Sequence, residues 1–160
     1  MHMKSSNLLY LFDFDGTLFG QEEWKGIIKN WKMNFSSKPF LNPHNYDIRW
    51  SILTGRLLQD KPLLKLCCLV NGLTPEEIIV IPKWTYPFKT HEEKYKWKFS
   101  IMFNILKDEK FASREITRIV YIDNDFSTND FINTWARNRS ISLVAVNVVD
   151  FINKTYQFLL

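Results

Sequence analysis

Residues 7–19 read NLLYLFDFDGTLF, in which the apolar run Leu8–Phe12 leads directly into two acids, Asp13 and Asp15. A short apolar run bounded by turn residues is typical of a buried strand in a parallel sheet. Side chains two positions apart lie on the same side of a strand, so these carboxylates are expected to converge at its carboxyl end. Such proximity is unfavourable unless a cation binds there or one acid is protonated. The alternative is an ordinary Asp-Gly turn at Gly16.

The composition indicates one soluble globular domain that spans residues 1–160. Hydrophobic residues make up 46% and charged residues 24% of the 160 positions, which argues against disorder. The net charge of +4 favours an anionic partner without identifying one. No apolar run approaches the roughly 18 residues that a membrane span needs, so no membrane association is expected. The adjacent Cys67 and Cys68 predict a buried, reduced pair and a cytoplasmic protein.

Strand and helix patterns alternate along the whole chain. Beyond the first strand, apolar runs predict strands at 46–53, 78–81, 116–122 and 141–148. Helical spacing and capping residues predict helices at 21–33, 61–70, 91–107, 127–138 and 150–160. This alternation predicts an α/β fold, a doubly wound, Rossmann-like, five-stranded parallel sheet with helices on both faces.

Polar side chains follow three of the predicted strands. Asp13 and Asp15 follow the first strand, Thr54 the second and Asp123 the fourth. Parallel strands place these positions at one edge of the sheet, where several carboxylate oxygens would suit a hard cation such as Mg²⁺. Asp123 is the better ligand of its group because it comes directly off the strand. Asp125 is the alternative, acting through a water molecule.

Four motifs, in this order, resemble those of the haloacid dehalogenase superfamily of phosphatases. They are DFDGTL at 13–18, ILTGR at 52–56, a lysine-rich helix start at 94–98 and YIDND at 121–125. The resemblance covers the chain from Leu8 to about Val148. The ILTGR form and the long aromatic loop also resemble the phosphatase-like domains named after Swiss Army Knife RNA-repair proteins.

The resemblance implies a magnesium-dependent phosphomonoester hydrolase. Asp13 would be the nucleophile that forms an aspartyl-phosphate, and Asp15 would be the general acid and then the base. The magnesium ligands would be Asp13, Asp123 and the backbone carbonyl of Asp15. A structural salt bridge is the alternative role for Arg56, and a plain turn the alternative for Thr54. The implied substrate-binding residues are Thr54, Gly55, Arg56 and Lys96.

Three lysines, Lys94, Lys96 and Lys98, are candidates for the phosphate-binding residue, and their positions relative to the apolar face of the helix distinguish them. Lys96 precedes Phe99 by three residues and Phe103 by seven, which predicts that it shares their inward face. Lys94 and Lys98 are expected to lie more laterally. The alternative is that all three are solvated surface lysines.

The intervals after the first two motifs are too short to fold as separate cap domains. An open site is therefore expected, which would accept a bulky phosphorylated substrate such as a nucleic-acid end or a phosphoprotein. The basic charge and the aromatic loops favour a nucleic-acid end or a nucleotide. Aromatic residues in 35–46 and 84–88 could stack on bases, or they could simply seal the edges of the sheet. The sequence does not indicate the oligomeric state.

Two other functional classes share part of this pattern. A non-catalytic phosphate- or nucleic-acid-binding module on the same fold is the alternative to an enzyme. A receiver-type signalling domain also uses strand-tip acids and magnesium. The order of the motifs argues against it, because the acids recur on the fourth strand and the lysines precede that strand.

Overall fold

Five parallel strands form a single sheet in the computed structural model, which describes residues 7–19, 39, 41–107 and 116–154. The strands are β1 Leu8–Phe12, β2 Trp50–Leu57, β3 Ile78–Ile81, β4 Arg118–Asp123 and β5 Leu143–Asn147. Their spatial order is β3-β2-β1-β4-β5, and every neighbouring pair is parallel. The predicted fold class is confirmed.

Helices connect the strands. They are α1 Lys61–Val70, α2 His91–Lys107, α3 Phe126–Asn138 and α4 Val148–Ile152, with 3-10 turns at Pro43–Tyr46 and Leu58–Asp60. The helix predicted at 21–33 lies outside the described residues. The bounds of the helix predicted at 150–160 are wrong among the described residues, because α4 begins at Val148 and ends at Ile152, and residues 153–154 form a turn. Residues 155–160 lie outside the described residues.

Alternate side chains of the strands enter two separate apolar cores, one on each face of the sheet. Tyr10 and Phe12 of β1 belong to the core that includes residues of α1 and α4. Leu9 and Leu11 belong to the core that includes residues of α2 and α3. A strand buried on both faces must be apolar throughout, which is the reason for the uninterrupted run in β1.

Strand β2 differs from its predicted bounds, which were 46–53. Pro43–Tyr46 is instead a 3-10 turn, in which the Asn42 side chain accepts a hydrogen bond from the His44 backbone nitrogen at 3.0 Å. The strand begins at Trp50 and continues to Leu57, so the TGR residues at 54–56 belong to the strand rather than to a loop after it.

The two cysteines are buried and free, as predicted. Burial raises the pKa of Cys67 to about 11 and that of Cys68 to about 12. Both thiols therefore stay protonated and unreactive at neutral pH.

Between Arg56 and Ile78 the chain forms one 3-10 turn and α1, so this interval contains no cap domain. Most of the interval after β1 lies outside the described residues. Within 7–19, 41–107 and 116–154, no helix has both the length and the apolar character needed to cross a bilayer.

Candidate active site

The site forms where the strand order reverses, between β1 and β4. Phe12 pairs with Ile122 in the sheet register, and the Asp13 backbone nitrogen donates to the Ile122 carbonyl at 2.9 Å. Asp13 and Asp123 therefore leave neighbouring strands side by side, although 110 residues separate them in the chain. Crevices at such reversal points are the usual ligand sites of open parallel sheets.

A cavity of about 600 Å³ opens at this edge. Its walls are mainly polar and carry both acids and cations. The lining residues are Asp13, Asp15, Gly55, Arg56, Tyr86, Lys94, Lys98, Asp123, Asn124, Asp125 and Thr128. The acids predicted at the tips of the first and fourth strands thus meet Gly55 and Arg56 of the second strand in one place.

Lys98 occupies the space between the two strand-tip acids. Its Nζ lies 3.4 Å from Asp13 Oδ1 and 3.4 Å from Asp123 Oδ2. It donates to the Tyr121 hydroxyl oxygen at 2.7 Å, and that hydroxyl donates to Asp123 Oδ2 at 2.6 Å. Only 3% of the Lys98 side chain is exposed. The ammonium is therefore held by a buried network in which each polar group has a partner.

The prediction that Lys96 shares the inward face of its helix is wrong. Lys96 is exposed and pairs with Glu92 at 3.3 Å along the helix surface. The buried positions of α2 are Lys98, Phe99, Met102 and Ile105, so the inward face is rotated from the predicted one. Lys98, four residues before Met102, is on that face and contacts both strand-tip acids, while Lys94 also lines the cavity.

Asp15 and Arg56 form a bidentate ion pair at the cavity wall. The Arg56 Nε and Nη2 donate to the two carboxylate oxygens of Asp15, each at 2.9 Å. Arg56 Nη1 also lies 3.9 Å from Asp60 Oδ2. Arg56 thus makes the structural salt bridge that was its alternative role, and it also lines the cavity. Its implied role in substrate binding stays a prediction.

Thr54 lies beneath the cavity rather than in its wall. It is 1% exposed, and its hydroxyl oxygen accepts a hydrogen bond from the Arg56 backbone nitrogen at 3.2 Å. In this arrangement the Thr54 hydroxyl bonds to the backbone of its own strand, and its implied contact with a substrate stays a prediction. Gly55, the next residue, lines the cavity directly.

Burial and charge shift the pKa values of the central groups. Desolvation, with smaller contributions from Asp123 and Asp15, raises the pKa of Asp13 to about 7, against the opposing effect of Lys98. Burial alone would lower the pKa of Lys98, but Asp13 and Asp123 outweigh it and the net shift is upward. Burial also raises the pKa of Asp15, although Arg56 opposes this shift. The site therefore binds protons more readily than isolated carboxylates do.

Asp125, the alternative ligand, serves as a helix cap. Its Oδ1 accepts from the Ser127 backbone nitrogen at 3.0 Å and its Oδ2 from the Thr128 hydroxyl at 2.8 Å. Its backbone nitrogen donates to Asp123 Oδ1 at 3.0 Å. Asp125 thus orients Asp123 and begins α3.

The donor set at the tips suits magnesium. Asp13 and Asp123 already share one cation, Lys98, and Asp15 lies in the turn that follows Asp13. Among the described residues, no group of three or more His, Cys, Asp or Glu side chains is arranged to hold a metal. Magnesium commonly takes only one or two protein carboxylates and keeps several waters, so two acids and a carbonyl fit this ion.

The sequence analysis considered Lys94 and Lys98 but placed both laterally, and it did not identify Tyr121, the buried hydrogen-bond partner of Lys98 and Asp123. The signal for Lys98 was its spacing of four and seven residues from Met102 and Ile105. The signal for Tyr121 was its position two residues before Asp123, which places both side chains on one face of β4.

Comparisons with known proteins give one similarity in fold. No family model and no curated protein matches the chain. The HAD domain of effector protein Lem4 from Legionella pneumophila is similar in structure, with 15% sequence identity and a TM-score of 0.47. The match covers 89% of this chain and 84% of that one.

Proposed function

We propose that this protein is a magnesium-dependent phosphomonoesterase that works through an aspartyl-phosphate on Asp13. The observation that carries the proposal is the pair of strand-tip acids, Asp13 and Asp123, bridged by buried Lys98 at the wall of an open polar cavity. Cations beside a nucleophilic carboxylate reduce its repulsion for an anionic phosphate.

In the first step an Asp13 carboxylate oxygen attacks phosphorus, and the bond between phosphorus and the ester oxygen breaks. Asp15 gives its proton to the departing oxygen, so the alcohol leaves neutral. In the second step water attacks the phosphorus of the aspartyl-phosphate while Asp15 takes the proton of that water. The bond to Asp13 breaks, inorganic phosphate leaves, and the carboxylate is restored.

The pair between Asp15 and Arg56 bears directly on this cycle. Asp15 must carry a proton for the first step, and a bidentate guanidinium stabilises the ionised carboxylate instead. A substrate phosphate that attracts Arg56 would release Asp15 to take up its proton. Burial, which raises the pKa of Asp15, favours the same change.

Magnesium, when bound by Asp13, Asp123 and the Asp15 carbonyl, would supply positive charge that neutralises the phosphoryl oxygens. Lys98 holds one oxygen of each acid from the buried side. The backbone nitrogen of Asp125 fixes the other oxygen of Asp123. These contacts keep both carboxylates oriented before any ligand enters.

Asp13→Asn is the decisive variant, because an amide is a poor nucleophile and a poor metal ligand. We expect turnover of p-nitrophenyl phosphate in magnesium buffer to fall by at least about 10³-fold, while circular dichroism shows an intact fold. Asp130→Asn, which changes an exposed acid of α3, is the matched control and should retain full activity. Retained turnover in purified Asp13→Asn would disprove the assignment of the nucleophile.

The alternative is a phosphate- or nucleic-acid-binding module without turnover. The observation that favours it is the closed ion pair between Asp15 and Arg56, which occupies the proposed general acid. One assay distinguishes the enzyme from the binding module. A binding module would bind a phosphate-ended oligonucleotide with the same affinity whether or not magnesium is present, and it would release no inorganic phosphate.

A further inference from the structure

The cavity is larger than the phosphoryl group that the proposed reaction requires. Its volume of about 600 Å³ falls in the range of sites that hold whole small-molecule ligands. Besides the acids and Lys98, its wall includes Gly55, Lys94 and Tyr86. A phosphate placed at Asp13 therefore leaves room in the same cavity for the group that carries it.

Lys94 is the cavity-wall cation that could bind the part of the substrate that carries the phosphate. Arg56 and Lys98, the other cations of the wall, are both held by carboxylates. Lys94 is half-buried, and within the part of the chain that the structure describes no carboxylate lies within ion-pair distance of it. A cavity-wall lysine without a direct ion pair is free to bind a second anion.

Gly55 makes space for this lysine. A Cβ atom at position 55 would lie 3.3 Å from the Cδ of Lys94, a distance shorter than nine in ten Cβ contacts. The absence of a side chain on β2 thus lets the lysine stem lie against the strand.

Tyr86 supplies a flat surface beside these charges. It lines the cavity and is 51% exposed. Its ring packs edge-on against Phe88 with centroids 5.3 Å apart, and Phe88 packs on Trp97 of α2. A supported, half-exposed aromatic ring is the usual platform for a planar ring of a ligand.

We propose that Lys94 and Tyr86 form a leaving-group subsite for a nucleotide. Lys94 binds a second phosphate of the substrate and Tyr86 stacks on its base. The inference rests on the proposed phosphomonoesterase activity and narrows its substrate class. The second phosphate belongs either to a free nucleoside bisphosphate or to the adjoining linkage of a strand end.

The test compares adenosine 5′-monophosphate with adenosine 3′,5′-bisphosphate in wild type, Lys94→Gln and the control Lys96→Gln. We expect Lys94→Gln to raise KM for the bisphosphate about tenfold and to leave the monophosphate and p-nitrophenyl phosphate unchanged. Lys96→Gln, which changes an exposed lysine two residues away, should match wild type for all three compounds. Equal KM values for the bisphosphate in Lys94→Gln and Lys96→Gln would overturn the proposed subsite.

Tyr86→Leu tests the platform separately. We expect it to raise KM for adenosine 5′-monophosphate about tenfold while ribose 5-phosphate, which has no base, is unaffected. Equal losses on both compounds would overturn the stacking role. A preference for an acidic phosphotyrosine peptide over every nucleotide would also overturn the proposal.

Failure of the subsite and failure of the activity are distinguishable. If wild type releases no phosphate from any compound, including p-nitrophenyl phosphate, the phosphomonoesterase proposal is wrong. Calorimetry with adenosine 3′,5′-bisphosphate then decides the subsite alone. Binding that Lys94→Gln weakens about tenfold supports the subsite, and absence of binding overturns it.

Comparing adenosine 3′,5′-bisphosphate with a 5′-phosphorylated dinucleotide distinguishes a free nucleotide from a strand end as the source of the second phosphate.

Discussion

At the scale of single residues, the site depends on a lysine whose charge is buried. Lys98 reaches the strand tips because α2 packs on the same face of the sheet as Leu9, Leu11 and Tyr121. Its ammonium is buried with two acids and a tyrosine hydroxyl, so removing it would leave like charges facing each other.

Lys98→Met should therefore lower kcat/KM for p-nitrophenyl phosphate by about 10²–10³-fold, the loss typical of a removed charge-stabilising group. Lys96→Met should change kcat/KM by less than about twofold, because Lys96 lies on the surface of the same helix. Thermal melts of both variants establish that each is folded at the assay temperature. If the Lys98 variant is folded and fully active, the buried ammonium has no part in turnover.

At the scale of elements, the turns after β1 and β4 touch each other. Gly16, in the turn after β1, has φ of +75°, and a Cβ there would lie 2.5 Å from Asn124 Nδ2. Asn124 follows β4 and lines the cavity. Position 16 of the first motif thus requires glycine for two reasons. Its φ is positive, and the turn after β4 packs so closely that a side chain would not fit.

Gly16→Ala and Gly72→Ala form a matched pair. Both change a glycine with positive φ, but a Cβ at Gly72 would meet nothing within 4 Å. We expect each to lose about 1–2 kcal/mol of unfolding free energy in urea titrations. Only Gly16→Ala should also lower turnover, by about tenfold, because it displaces Asn124 at the cavity wall. Equal activity in the two variants would show that the contact between the turns is unimportant.

At the scale of the whole molecule, the site is maintained at a cost in stability. The fold holds Asp13 where burial raises its pKa from 3.8 to about 7. The native state therefore binds this proton more tightly than the unfolded chain does. The contribution to stability is full below about pH 4, and it is lost as the pH rises through about 7.

Asp13→Asn should remove this pH dependence of stability, because asparagine resembles the neutral carboxyl group. In a chelator-containing buffer, we expect the variant and wild type to have similar Tm values at pH 4. At pH 8 the variant should melt about 5 °C higher. Asp130→Asn, an exposed change on α3, should keep the same Tm difference from wild type at both values. A pH-independent difference for Asp13→Asn would contradict the raised pKa.

The sequence by itself determined the alternation of strands and helices, the parallel sheet and the strand-tip acids, because each follows from local apolar runs and turn residues. The sequence predicted both ends of β1 correctly, because a strand buried on both faces is apolar at every position. Only the tertiary structure decided which face of α2 turns toward the site. Lys94 and Lys98, four residues apart, lie on one face of the helix and Lys96 lies nearly opposite, and the packing of Met102 and Ile105 places Lys98 inward. The pairing of Asp15 with Arg56, 41 residues apart, likewise depends on the contact between β1 and β2. Local sequence patterns carry no information about such distant contacts.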